Sequence, residues 1–230
     1  MTRGILIAGN ESTLLSAVAA EAVKRVESYA SAVIPNRFPL PDGVQPAKAA
    51  SASRAIPILW NPGSPISARS LILAAENRLG QINNAILICS PPAVFKTAGS
   101  LAPEEIEILI NDHIKGWFYL IRELILYFRR VGSGSLSLAA PEQSAIEPKA
   151  AGGKSIQTDI LGPSAAASFR CFANGILASA ANEQFLTMGF TGSEAGAEGE
   201  FASWLFKIVD EGEKKNSGRW HKHSKYGFFK

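Results

Sequence analysis

Short apolar runs bounded by glycine or proline alternate along the chain with longer stretches whose apolar residues recur at helical spacing. Residues 4–9, Gly-Ile-Leu-Ile-Ala-Gly, are apolar without interruption, as in a strand buried on both faces of a parallel sheet. Leu14 to Val26 follows with a helical period, and Ser12 or Thr13 is placed to cap it. Further strands are expected at Ala32–Ile34, Ile56–Trp60, Ala85–Cys89, Ser135–Ala139 and Gln184–Met188. Helices are expected at Ile66–Leu79, from Pro103 through His113 and Trp117 to Phe128, at Ser164–Asn182 and at Glu200–Glu211. Residues 35–54 read as an irregular connection or a poor helix, 140–163 as a mobile loop, and Arg219–Lys230 as a terminal element of undecided type. Strands separated by helices, joined by right-handed crossovers, predict one α/β domain: a doubly wound parallel sheet with helices on both faces over residues 1–230. Ligands in such sheets sit beyond the carboxyl ends of the strands, which directs attention to residues 8–13, 35–37, 61–62, 90–91, 139–142 and 188–193.

Composition narrows the function classes. The chain of 230 residues is 47% hydrophobic and 19% charged, as in a folded globular protein. Its two cysteines, Cys89 and Cys171, provide no disulfide framework and no metal signature, and no metal site is expected. The apolar run after Arg3 is too short for a signal peptide, and Arg122 and Glu123 interrupt the longest apolar stretch; neither membrane nor export is expected, and a reducing, cytoplasmic setting is. The net charge of +3 is concentrated in a basic tail, residues 213–230, which holds six lysines or arginines and one acid. The rest of the chain is slightly acidic, so nucleic acid is not an expected partner. His221 and His223 could offer two imidazoles to a metal, but without a third ligand they read as part of a solvated tail.

Several local sequences carry a family resemblance. Leu6-Ile-Ala-Gly9, Val33-Ile-Pro-Asn-Arg37, His113-Ile-Lys-Gly116, Gly134-Ser-Leu-Ser-Leu138 and Met188-Gly-Phe-Thr191 fall in the order found in the short-chain dehydrogenase/reductases. The resemblance covers nearly the whole length. It implies a three-layer Rossmann-like domain and an NAD(P)-dependent oxidoreductase acting on a small carbonyl or alcohol. Where that family writes Gly-x-x-x-Gly-x-Gly, this chain has Gly9-Asn-Glu-Ser-Thr-Leu-Leu15. A modified phosphate loop would use Gly9, Asn10, Ser12 and Thr13; the alternative is a capped strand-to-helix turn with no ligand. The resemblance also places Arg37 where a 2′-phosphate would be bound, implying NADP rather than NAD, Asn61 where adenine is faced, and Ser90 beside the cofactor.

Carbonyl reduction in this family uses a Tyr, a Lys four residues later and a Ser. The corresponding positions fall at Gly162 and Ala166, or Ile160 and Ser164 after a small shift, and the serine at Ala140 or Pro141, with Ser144 as a displaced substitute. His113 stands in the place of the family's helix Asn and either holds a water, acts as a base, or is a satisfied core residue. Tyr226 and Lys230 have the right spacing on the wrong element, and Lys149 and Lys154 lie in the expected mobile loop. Two readings follow: an oxidoreductase lacking the usual trio, or a non-catalytic binding or assembly subunit. The small residues of 164–182 and the helix over 104–130 suggest a homodimer or homotetramer through these helices.

Overall fold

The computed structural model describes residues 3–38, 54–140, 159–192 and 196–223. Seven parallel strands form one sheet in the order β3-β2-β1-β4-β5-β6-β7. They are β1 Ile5–Asn10, β2 Tyr29–Ile34, β3 Ala55–Pro57, β4 Asn84–Ile88, β5 Ser135–Ala139, β6 Leu186–Thr191 and β7 Arg219–Lys222. Alternate residues of each central strand feed opposite cores, as the two-residue period of a strand requires. Leu6, Ala8, Leu87 and Leu138 meet α2 (Pro65–Leu79), α4 (Gly116–Val131) and α5 (Leu161–Ser179). Ile5, Ile7, Ile86 and Ile88 meet α1 (Thr13–Ala22) and α6 (Glu198–Glu211). Continuous apolar runs read as buried parallel strands for this reason. Among the described residues no helix is long and apolar enough to cross a membrane.

The long helix expected from Pro103 is continuous but not uniform. A first segment, α3 (Pro103–Ile108), passes through a π-helical turn, Leu109–Lys115, into α4. A π turn widens the helix by one residue and re-aims the side chains within it. Asp112 and His113 lie in that turn, both about 1% exposed.

Other differences have local causes. The first helix stops at Ala22, not Val26, because the N–H groups of Lys24 and Arg25 turn to carbonyls three residues back. The third strand is only three residues at the sheet edge, ending at Pro57, which has no N–H for a ladder. The fifth helix starts at Leu161, within the segment expected to be loop, where the Asp159 carboxylate accepts the Gly162 N–H at 3.0 Å. The sixth strand is displaced to Leu186–Thr191. Gly189 sits inside it because the Trp220 ring of β7 lies 2.6 Å from where a Cβ would stand.

The basic tail is partly sheet. β7 adds parallel to β6, His221 Nε2 lies 2.8 Å from the Asn216 carbonyl and the ring stacks on Phe190, while His223 packs against Trp204. These two histidines belong to the packed edge, not to a solvated segment. Lys149, Lys154, Pro141, Ser144, Tyr226, Lys230 and most of 35–54 and 140–163 lie outside the described residues.

Candidate functional site

The carboxyl ends of β1, β2 and β4 converge on one polar cluster, built around the last residue of β1. The Asn10 carboxamide is buried; its Oδ1 accepts the Ser90 N–H at 2.9 Å and its Nδ2 lies 2.7 Å from His113 Nδ1. With Oδ1 committed to an N–H donor, the amide NH2 faces the imidazole, so Nδ1 is the acceptor and the ring proton belongs on Nε2. Burial pushes the His113 pKa down to about 4, with the positive charge of Arg37 acting in the same direction. The imidazole is therefore neutral at physiological pH.

Arg37, just past β2, reaches the same place from the other side. Its Nε is 3.3 Å from Asp112 Oδ2, an ion pair without hydrogen-bond geometry, and its side chain stays half exposed. Burial raises the Asp112 carboxyl above the ordinary carboxylate range, and Arg37 opposes that rise. Next to Arg37, Phe38 is buried and stacks on the His113 ring at 6.1 Å between centroids. Phe38 also joins a separate apolar cluster with Val94, Leu109, Leu161 and Ala165. Among the described residues, Asp112 and His113 are the only ionisable groups with a buried polar atom that lacks a hydrogen-bond partner, Oδ2 and Nε2. Each such atom costs about 1–3 kcal/mol.

The residues singled out in the sequence divide into two groups. Asn10, Arg37, Ser90 and His113 are brought together. Gly9, Ser12, Thr13 and Asn61 are used elsewhere. A Cβ on Gly9 would lie 3.0 Å from Leu15 Cδ1 and from the Ile88 carbonyl oxygen, so this glycine admits the Leu15 side chain. Ser12 caps α1 by accepting the Leu15 N–H at 3.1 Å, and the Thr13 hydroxyl donates to Glu198 at 3.2 Å. The Asn61 N–H donates to Ser67 at 2.8 Å, and Pro62 beside it packs on Gly116. Asp112 and Phe38 escape a reading of the sequence, because their partners are about 75 positions away. The only nearby signal was His113 itself.

A dinucleotide does not fit these residues as they stand. Leu15 fills the space beside Gly9, the Ser12 hydroxyl is spent on its own helix, and Arg37 and Phe38 lie across the crevice onto Asp112 and His113. Nor does α5 carry a proton-transfer pair. Its buried stripe runs Leu161, Ala165, Phe169, Ala173, Leu177 at four-residue spacing, so every pair four apart on the inward face is apolar. The helix contains neither Tyr nor Lys. At Gly162, one expected position, a Cβ would lie 2.5 Å from Asp159 Oδ2, so a side chain there would have to displace the carboxylate that accepts the Gly162 N–H.

No protein-family model matches the chain, and no curated protein matches it. Solved structures do. A short-chain dehydrogenase from Mycobacterium smegmatis is similar with a TM-score of 0.70 at 13% identity, covering 98% of this chain and 93% of that one. A mutant short-chain dehydrogenase/reductase from Serratia marcescens is similar with a TM-score of 0.68 at 8% identity, covering 96% and 95%. Over almost its whole length, then, this chain has the short-chain dehydrogenase/reductase fold.

Proposed function

We propose that this chain is a non-catalytic binding or assembly subunit built on the short-chain dehydrogenase/reductase fold, not a carbonyl reductase. The observation that carries the reading is α5 itself, which holds neither Tyr nor Lys and whose inward stripe of Leu161, Ala165, Phe169, Ala173 and Leu177 offers no acid and no pKa-lowering partner. His113 does not substitute for them. It is neutral, nearly fully buried under Phe38, and already hydrogen-bonded through Nδ1. The expected result is no turnover of NADPH or NADH against a panel of small aldehydes and ketones. Turnover abolished by His113→Asn would overturn the reading.

A second reading, an oxidoreductase fold that still binds NADP, is favoured by Arg37, whose half-exposed guanidinium can offer a phosphate two parallel N–H donors. Titration with NADPH and NADH, followed by energy transfer from tryptophan, separates the two. Saturable binding that favours NADPH and weakens in Arg37→Ala supports retained cofactor recognition.

The assembly half of the proposal rests on the outer face of α4 and α5. Phe118 is 41% exposed and stacks on Phe172 of α5 at 3.8 Å between ring centroids. This partly exposed aromatic pair suits a second copy of the chain. Sedimentation is expected to show a homodimer at micromolar concentration and a monomer for Phe118→Asp; a monomeric wild-type protein removes the idea. Both cysteines are free, in keeping with a cytoplasmic location.

A further inference from the structure

We propose that Arg37 and Phe38 form a self-docked latch over Asp112 and His113, and that an anionic phosphate group capturing the Arg37 guanidinium opens it, making the Asp112–His113 pair the floor of a binding site. Three observations converge. First, the covered pair is incompletely satisfied: His113 Nε2 is buried without a partner among the described residues, and Asp112 Oδ2 has the Arg37 ion pair but no hydrogen bond. Buried polar groups are ordinarily hydrogen-bonded, so an orphaned ring N–H beside a carboxylate oxygen held only by that contact marks a place where the closed arrangement is not the best the side chains can make.

Second, the contacts that close the latch are of a kind that can be exchanged. The Arg37–Asp112 pair lacks hydrogen-bond geometry and one of its members is half exposed, whereas a phosphate oxygen offers the same guanidinium straight, charge-assisted bonds. Third, Phe38 is held by an apolar cluster separate from the two cores that pack the sheet. Release of Phe38 therefore opens the crevice without unpacking the fold. The π turn that carries the pair adds a local feature common at binding sites. The latch does not depend on the ligand being a dinucleotide.

The test is the exchange of imidazole C2 hydrogens for deuterium in the full chain, read peptide by peptide by mass spectrometry, with His221 and His223 as internal references. His113 is expected to exchange far more slowly than either. Inorganic pyrophosphate should speed its exchange roughly threefold in the wild-type protein, in keeping with displacement of a half-exposed ion pair. It should leave the rate unchanged in Arg37→Ala. Phe38→Ala should raise the basal rate about tenfold, as the cover itself is lost. A purely structural Arg37 would give no response to pyrophosphate, and that outcome overturns the proposal even where Phe38→Ala exposes His113. Fast exchange of His113 in the unliganded wild-type protein overturns it as well. If Phe38→Ala speeds all three histidines together, the variant has unfolded, and the pyrophosphate response of the wild-type and Arg37→Ala proteins decides.

Discussion

Trp117→Ala is expected to lower the melting temperature by about 10 °C. Truncating a buried Trp costs about 3–5 kcal/mol, and a chain of this size shifts by about 2–4 °C per kcal/mol. Trp117 is fully buried at the first turn of α4, edge-on to Trp60 after β3 and to Phe169 of α5, with ring centroids 5.6 and 5.3 Å away. One side chain therefore joins three elements, and its removal takes from Trp60 and from Phe169 the ring each packs against. Against a total stability of about 5–15 kcal/mol that loss is a large fraction. Trp117→Phe, which keeps a ring in the gap, should lose less than half as much. Scanning calorimetry on the three proteins checks the order, and an alanine variant melting with the wild type would show that the aromatic stack carries no net packing energy.

The sequence made the layers legible because a parallel strand buried on both faces, such as Ile5–Asn10 or Asn84–Ile88, leaves a continuous apolar run that few other structures produce. Helix ends were readable where they obey local chemistry: Ser12 caps α1, and Gly132 ends α4 with φ +76°, a conformation open to glycine. Local rules failed where tertiary contacts decide. Gly189 lies just past the strand expected at Gln184–Met188, yet it sits within β6, where a glycine leaves room for the Trp220 ring. Leu15 reads as an obstacle in a phosphate loop, and in the fold it is the side chain that Gly9 accommodates. Half of the candidate site was visible, since Asn10, Arg37 and Ser90 lie where strands stop and His113 stands on a helix in the place of the family's Asn. The other half was not. The π turn that buries Asp112 beside His113 has no periodic signature, and the contacts of Arg37 with Asp112 and of Phe38 with His113 exist only once the chain has folded.

That burial makes the protein acid-sensitive in a specific window. His113 has its pKa lowered from 6.5 to about 4 by burial, with Arg37 adding to the effect. In the unfolded chain the imidazole takes up a proton as pH falls through about 6.5, while in the folded protein it resists until about 4. Over that interval the unfolded state binds more protons, so the stability held above 6.5 is progressively lost toward 4. At about 1.4 kcal/mol per unit of pKa difference the loss approaches 3 kcal/mol. Asp112 acts in the opposite sense. Its raised pKa means that the folded state takes up a proton before the unfolded one does, which offsets part of the loss at the acid end. The carboxylates lowered by ion pairs, Glu21, Glu105, Glu183 and Asp210, lose their contribution only as pH falls below their unfolded values, and they do so equally in a His113 variant. His113→Asn should therefore show a flatter decline than the wild type between neutral pH and about 4 in denaturant unfolding, the difference between the two curves isolating the imidazole. Asn10→Asp supplies the converse, since a carboxylate facing Nδ1 favours the charged ring and should move the His113 titration back upward. Parallel pH curves for wild type and His113→Asn, or a His113 resonance titrating near 6.5 by NMR, would mean that the ring is solvated and that Phe38 does not cover it.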